Sequence, residues 1–182
     1  MDILASKKTF IKSEDGFTVL PDFAITEVDL SAYDVLLLTG SMDPFASVFD
    51  QTLIKALSSI DSKKCIIASI SSSPLILAKA GLLTHYRFTA GIYSNLFTYF
   101  PWLDEENFSP KHFLMDGNLI TALGTKEGIE AFTHNVLYRL GFIKDQINLP
   151  EEDISFTLSD LEFETFLKEL AQKYPITSKE NE

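Results

Sequence analysis

The sequence has few of the residues that form disulfides, metal sites or nucleic-acid interfaces. Cys65 is the one cysteine in 182 residues, so no intrachain disulfide can form and nothing indicates an oxidising compartment. No group of His, Cys, Asp and Glu has the spacing of metal ligands, and we predict neither a metal nor another cofactor. The 15 basic and 26 acidic residues give a net charge of -11, which disfavours binding to nucleic acid.

Long hydrophobic runs are also absent. No stretch approaches the roughly 18 apolar residues of a membrane span, and the first residues lack the pattern of a signal peptide. We therefore expect a cytoplasmic protein with no membrane partner. The length and the 46% hydrophobic content suit one globular domain. We place this domain at residues 1–145 and an acidic extension with one amphipathic helix at residues 146–182.

Apolar segments alternate with helical patterns along the domain. Asp34–Leu38 and Cys65–Ile70 are continuous apolar runs, as in strands that are buried on both faces. A helix face between them is predicted from the spacing of Phe49, Leu53, Leu57 and Ile60. This alternation predicts an α/β fold around a mainly parallel sheet, in which sites gather at the carboxyl ends of the strands.

The other elements are predicted from turns, caps and periodicity. Hairpin turns are expected at residues 13–16 and 116–118, and short strands at residues 1–6 and 87–89. We expect residues 93–110 to be irregular and residues 177–182 to be disordered. Two further helices are predicted, one with the face Ile129, Phe132, Val136 and Leu140, and one with a Ser159/Glu162 capping box followed by Phe163, Phe166, Leu167 and Leu170.

The junction after the second buried strand carries the chemistry. The strand runs directly into a helix that we expect from Pro74 to Ala80, with Ser73 as its N-cap. Ser71 then stands at a strand-to-helix turn, the geometry of a nucleophile elbow, next to a helix N-terminus that favours negative charge. A hydroxyl still needs a base within hydrogen-bond reach. The alternative is that these serines only cap the helix.

Four segments, taken in order, resemble the DJ-1/PfpI (ThiJ) superfamily of class I glutamine amidotransferase-like proteins. They are similar above all to members described as intracellular proteases or amidases. The resemblance implies a flavodoxin-like three-layer sandwich. The segments are GFTVLPD at residues 16–22, YDVLLLTGS at 33–41, ASISSSP with LAKAGLL at 68–83, and DGNLITALGT at 116–125.

The resemblance also implies a site. Ser71 stands where the family has its nucleophilic Cys, and the backbone N–H groups of Ser41 and Ser72 would form an oxyanion hole. Gly40, Ser73 and Pro74 belong to the neighbouring loops. The family's His partner has no equivalent at the matching positions, so His85 is the candidate base. Cys65 is expected to be an inert core residue.

Two departures from the family weaken the case for catalysis, the missing His partner and the missing first β-α unit. The family's first β-α unit, whose strand carries a Glu that contacts the Cys, would precede Met1, and we expect a sheet without it. We therefore favour a catalytically impaired protein with a binding or structural role, a homodimer with a small-molecule ligand. The alternatives are a serine-dependent amidase or peptidase-like hydrolase, with glyoxalase-type activity also considered, and an incomplete product with unpaired sheet edges.

Overall fold

The computed structural model describes residues 1–150 and 152–175. The strands are β1 (Leu4–Ala5), β2 (Ile11–Lys12), β3 (Thr18–Val19), β4 (Phe23–Ala24), β5 (Val35–Leu38), β6 (Ile66–Ile70), β7 (Phe113–Asp116) and β8 (Leu119–Ala122). The α-helices are α1 (Phe45–Val48), α2 (Gln51–Leu57), α3 (Pro74–Lys79), α4 (Leu96–Tyr99), α5 (Lys126–Arg139) and α6 (Asp160–Lys173).

The central sheet has four strands in the order β5-β6-β8-β7. The first three are parallel, with Leu37, Ala68 and Ile120 in register, and β7 runs antiparallel to β8. Strand β6 is central because its apolar run can be buried on both faces, and Ala68 is fully buried. The predicted α/β fold with a mainly parallel sheet is confirmed. Strand β5 forms one edge of this sheet.

Helices cover both faces of the sheet and produce three layers. The larger apolar cluster joins α1, α2, α3 and α4 to one face through residues such as Phe45, Leu75 and Phe100. The smaller cluster joins Phe132 and Val136 of α5 to the other face. The carboxyl ends of β5, β6 and β8 meet on the edge where the candidate site lies.

The first predicted helix is α2, which is shorter than the predicted face, and a separate helix, α1, precedes it. Asp50 ends α1 and begins α2, because its carboxylate accepts hydrogen bonds from the N–H groups of Thr52 and Leu53. This is the N-cap role in which Asp is favoured over a helix-interior position. Ile60 lies beyond the end of α2 but is still buried.

Helix α5 buries Phe132 and Val136 of its predicted face, but it is rotated so that the two ends of that face are exposed. Ile129 and Leu140 are 47% and 40% exposed, whereas Asn135 is fully buried. Asn135 Nδ2 donates to Ala131 O at 2.8 Å and to Ile147 O at 3.0 Å, whereas its Oδ1 has no partner among the described residues. The rotation brings Gly128 against the sheet, where a Cβ atom would lie 2.3 Å from Leu123 O. Close backbone approach therefore decided the buried face.

The two hairpins are confirmed. Ile11 pairs with Val19 and Phe113 pairs with Ala122. Residues 87–89 form only an isolated bridge between Phe88 and Phe108. The segment expected to be irregular contains the single-turn helix α4, because Leu96, Phe100 and Leu103 bury apolar side chains in the core. The short strand expected near the N-terminus is β1, which pairs in parallel with β4. Residues 177–182 lie outside the described part.

The C-terminal segment packs on the rest of the chain. Helix α6 begins at the predicted capping box, in which Ser159 and Glu162 exchange hydrogen bonds. Leu170 is buried, and Phe163 and Phe166 pack against the larger apolar cluster. The division of the chain at residue 145 stays a prediction, and the segment on its far side is in contact with the domain that precedes it.

Candidate functional site

Ser71 lies at a backbone turn that side chains normally avoid. Its φ is 62°, and among the residues that the structure describes it is the one non-glycine residue with a positive φ. This conformation costs an ordinary residue about 1 kcal/mol. Two backbone hydrogen bonds hold it in place, from Ser71 N–H to Ala122 O at 2.8 Å and from Gly91 N–H to Ser71 O at 2.7 Å. The strand-to-helix elbow is therefore built into the sheet edge.

Neighbouring glycines give Ser71 its room. A Cβ atom at Gly40 would lie 2.4 Å from Ser71 Cβ, a distance that atoms do not tolerate. The same atom at Gly124 would lie 3.5 Å from Ser71 Oγ, an ordinary contact. Gly40 is therefore the position where only a glycine fits beside the elbow.

The serine that was expected to cap α3 does not do so. Ser73 has a helical backbone, and its hydroxyl makes no capping bond to the helix. Instead, Ser73 Oγ accepts a bond from Ile70 N–H at 3.0 Å and lies 2.7 Å from Ser69 Oγ. It also lies 3.1 Å from Leu38 O of the adjacent strand. Ser73 therefore occupies the expected N-cap position, but its buried hydroxyl ties the end of β6 to β5 instead of capping the helix.

Ser41 and Ser72 join the two loops above the sheet. Ser72 Oγ donates to Ser41 O at 2.7 Å and receives a long hydrogen bond, 3.3 Å, from Ser41 N–H. The N–H of Ser72 has no hydrogen-bond partner among residues 1–150 and 152–175. One of the two expected oxyanion-hole donors is thus engaged and the other is free, and the pair stays a prediction.

A cavity of about 350 Å³ opens above Ser71. Ser41 and Ser72 line it from the sheet edge, and Phe45 and Leu75 line it from the helices. No Asp, Glu, Lys, Arg or His side chain is among the described residues that line it. The remaining lining residues are Met42, Pro44, Gly91, Ile92, Tyr93, Leu96, Leu123, Gly124, Thr125, Phe156 and Phe166.

The candidate base lies away from this cavity. His85 is exposed and follows the far end of α3, because a helix of six residues carries the chain about 9 Å away from the elbow. The imidazole of His112 contacts a residue that lines the cavity, because its Nδ1 lies 2.8 Å from Thr125 Oγ1. Thr125 Oγ1 also accepts a hydrogen bond from Gly128 N–H as the N-cap of α5. His112 is thereby tied to a structural hydroxyl.

Cys65 is confined to the core. The residue is 4% exposed, and burial raises the pKa of its thiol. A thiol of this kind is a poor nucleophile at neutral pH. Within the described part of the chain, no group of three or more His, Cys, Asp and Glu side chains could hold a metal ion.

The sequence of the chain matches one known protein family. The sequence profile of the DJ-1/PfpI family matches residues 1–138. The chain belongs to the DJ-1/PfpI family. Three of the four segments that suggested this family, at residues 33–41, 68–83 and 116–125, supply the loops around Ser71, which follow β5, β6 and β8.

Curated members of the family share limited identity with this chain. The DJ-1beta protein of Drosophila melanogaster is 27% identical over 117 residues, which are 63% of this chain and 60% of that protein. A protein named a deglycase from Pyrococcus abyssi is 28% identical over 123 residues, which are 66% of this chain and 70% of that protein. The chain thus spans about 60% of the length of the Drosophila relative.

Solved structures agree with the DJ-1/PfpI fold. A ThiJ/PfpI family protein of Bacillus anthracis has a TM-score of 0.65 at 22% identity, and the match covers 95% of this chain and 73% of that chain. A two-domain protein of Anabaena variabilis with DJ-1/ThiJ/PfpI-like and ferritin-like domains also has a TM-score of 0.65 at 22% identity. That match covers 82% of this chain and 44% of the Anabaena chain. At these identities the likeness shows the fold.

Several lining residues escaped the sequence analysis. Phe156 and Phe166 come from the C-terminal extension, and Tyr93 comes from the segment that we expected to be irregular. The apolar stripe of α6 was the one signal for Phe166, although it did not indicate which surface it would meet. No helix in the described residues is long and apolar enough to cross a membrane.

Proposed function

We propose that this DJ-1/PfpI protein is catalytically impaired and binds a small molecule in the cavity above Ser71. One observation supports the proposal most. The elbow and its cavity are present, yet none of the described residues that line the cavity carries a carboxylate or an imidazole. The site therefore has a shape suited to a ligand without a group that could remove a proton from Ser71.

The neighbouring hydroxyls do not supply the missing base. Ser71 Oγ has no hydrogen-bond partner in the described part of the chain. Thr125 Oγ1 is engaged by Gly128 N–H and by His112. A serine hydroxyl without a partner keeps its proton at neutral pH and is a weak nucleophile. The family's chemistry would rest on a thiolate, and Ser71 does not provide one.

A comparison of the wild type with the Ser71→Ala variant tests this proposal. We expect both proteins to show the same background rate on amide, ester, glyoxal and glycated-amine substrates, because the hydroxyl is not activated. The glycated substrates are included because the Pyrococcus relative is named a deglycase. Turnover by the wild type that disappears in Ser71→Ala would overturn the proposal.

The Ser71→Cys variant separates the loss of the thiol from the loss of the site. We expect the N-terminus of α3 to make the new thiol more reactive with iodoacetamide than an ordinary cysteine. We expect no turnover, because no described carboxylate or imidazole lines the cavity to act as a base. Cys65 is buried and serves as the internal background. A fast, low-pKa thiol with new turnover would show that only the nucleophile differs from an active site.

A serine-dependent amidase or peptidase-like hydrolase is the second candidate. It is supported by the positive φ of Ser71 and by the free N–H of Ser72 beside it, since an oxyanion hole alone accelerates acyl transfer. Labelling with a fluorophosphonate probe distinguishes the two candidates. Labelling of the wild type but not of Ser71→Ala would favour the hydrolase.

We also propose a cytoplasmic homodimer, as the family resemblance implies. The N-terminal hairpin offers a surface for it, because Phe10 and Phe17 are 74% and 71% exposed. Large apolar side chains with this exposure are candidates for an interface. Light scattering after size exclusion would give the oligomeric state directly.

A further inference from the structure

We propose that residues 152–175 complete the cavity above Ser71 as a pocket for an uncharged, mainly apolar molecule with one hydrogen-bond acceptor. This inference rests on the proposed binding function and adds the class of ligand and the part of the chain that selects it. Phe156 and Phe166 carry it, since both belong to this segment and both line the cavity.

Backbone and side-chain hydrogen bonds fix the position of Phe156. Its carbonyl accepts from Ser94 N–H at 2.8 Å, and the residue forms a parallel bridge with Tyr93. The next side chain, Thr157, shares a 2.7 Å hydrogen bond with Ser94. Asn95 makes two hydrogen bonds to the backbone of Leu158, at 2.9 and 3.2 Å. The strand-like segment before α6 is therefore tied along one wall of the cavity.

Aromatic packing fixes the position of Phe166. Its ring centroid lies 5.7 Å from that of Phe45 and 6.2 Å from that of Tyr93. It also stacks on Phe163 at 6.1 Å within α6. Tilted and stacked rings at these distances are in the favourable range for aromatic pairs. The wall opposite the elbow is thus an ordered aromatic surface.

Two carboxylates lie close to the cavity without lining it. One is that of Glu14, which accepts a hydrogen bond from Met42 N–H at 2.7 Å, and the other is that of Asp43. Asp43 lies between two lining residues, Met42 and Pro44, but its carboxylate is bound by Lys173 Nζ and by Tyr174 Oη at 2.8 Å. Because no charged side chain lines the cavity among the described residues, an ionic group inside it would lose its hydration without gaining a partner. Such burial is costly, so the cavity selects against charged ligands.

Unused hydrogen-bonding groups lie at the elbow end. Ser71 Oγ and Ser72 N–H have no partner in the described residues. Both can donate to an acceptor such as a carbonyl or ether oxygen. The remaining walls are mainly apolar, and the volume of about 350 Å³ is that of a small-ligand pocket. An apolar body with one acceptor at its end matches this distribution.

Two fluorescent probes that differ by one sulfonate test the ligand class. N-phenyl-1-naphthylamine is uncharged, and 8-anilino-1-naphthalenesulfonate has the same rings with a negative charge. We expect the uncharged probe to bind the full chain at least about ten times more tightly at pH 7. Equal affinities would overturn the inference while leaving a binding function intact. Failure of both probes to bind would contradict this inference and the proposed binding function together.

Substitutions test whether the uncharged probe binds against the aromatic wall formed by Phe156 and Phe166. Phe156→Asp puts a carboxylate on the wall at a position held by its backbone, and we expect at least about a tenfold loss of affinity for the uncharged probe. Phe142→Asp is the matched control, since Phe142 is 74% exposed and does not line the cavity. Unchanged binding by a folded Phe156→Asp variant would overturn the inference. If that variant fails to fold, Phe156→Leu takes its place, with a smaller loss expected and unchanged affinity again contradicting the proposal.

Discussion

The floor and the cover of the cavity are built on different principles. We call the part of the cavity around Ser71 its floor. The floor is formed by backbone contacts, because Ser71 makes backbone hydrogen bonds with Ala122 and Gly91, and Gly40 lies too close to Ser71 for a methyl group to fit. We call the part that the C-terminal segment contributes the cover. The cover is formed by side chains, those of Phe156 and Phe166. A position in tight contact with neighbouring backbone accepts almost no larger residue, whereas a side chain that lines the cavity can be replaced by another of similar size. Steric contacts thus fix the position of Ser71, and we expect the side chains of the cover to determine which ligand binds.

The two parts also differ in how they are stabilised. The floor is set in the central sheet, where the strand ends β5, β6 and β8 are fixed by parallel pairing. The cover is held by aromatic contacts and by the hydrogen bonds of Lys173 and Tyr174 to Asp43. These latter groups are largely at the surface, where charge pairs contribute little. We therefore expect changes to the floor to be costly and changes to the charges of the cover to be mild.

The largest effect is expected for Gly40→Ala. Its Cβ atom would lie 2.4 Å from Ser71 Cβ, so the loops must separate, at about 3 kcal/mol and a fall in Tm of about 8 °C. Gly124→Ala is the matched control, because its Cβ atom would meet Ser71 at 3.5 Å and should cost under about 1 kcal/mol. Thermal unfolding followed by circular dichroism measures both. Equal losses would show that the floor is not sterically constrained.

A smaller effect is expected from exchanging the residue at the strained turn. Ser71→Gly and Ser71→Ala both remove the hydroxyl, but only glycine adopts a φ of 62° freely. We expect the glycine variant to be more stable than the alanine variant by about 1 kcal/mol in urea unfolding. At Thr133, an exposed position within α5, the order should reverse by about the same amount. The same order at both positions would contradict strain at Ser71.

The smallest effect is expected for Asp43→Asn, and it should depend on pH. Partial burial acts to raise the pKa of Asp43, but the hydrogen bonds from Lys173 and Tyr174 outweigh it and hold the pKa below its ordinary value. A lowered folded-state pKa stabilises the protein above the unfolded pKa of about 4, and this stability is lost as the pH falls through the folded value. The wild type should therefore exceed the variant in Tm by about 2 °C at pH 7, and this advantage should shrink progressively as the pH falls below about 4.

Asp15→Asn provides the control for that titration. Asp15 is exposed and lies in the hairpin turn between β2 and β3, where it forms no ion pair with any residue that the structure describes. Its Tm difference from the wild type should be negligible at either pH. A difference for Asp43→Asn that persists unchanged at pH 3 would indicate that packing, not charge, holds the end of α6.

The sequence predicted the elements with strong local signals. The buried strands were recognised from continuous apolar runs, and the second hairpin from its Asp-Gly-Asn turn. The start of α6 followed from the Ser159/Glu162 capping box. Each of these signals lies within a few residues of the element that it specifies, so no knowledge of distant contacts was needed.

The predictions that the structure corrected all involve residues whose contact partners are distant in sequence. Ser73 was expected to cap a helix, but its hydroxyl binds Leu38 O, 35 residues away. The buried face of α5 depends on how closely Gly128 approaches Leu123 and His112. His85 was the candidate base on sequence distance, and the direction of α3 carries it away from the cavity. Periodicity describes one element at a time and cannot report the element that packs against it.

The sequence by itself determined that this chain forms an α/β sheet with a serine at the sharp turn after its central strand. Apolar runs and turn residues act locally, and they suffice for that result. Only the tertiary structure decided that Gly40 and Gly91 close around Ser71 and that the C-terminal segment forms the opposite wall of its cavity. The reason is physical, because a cavity is a property of surfaces brought together from the whole chain.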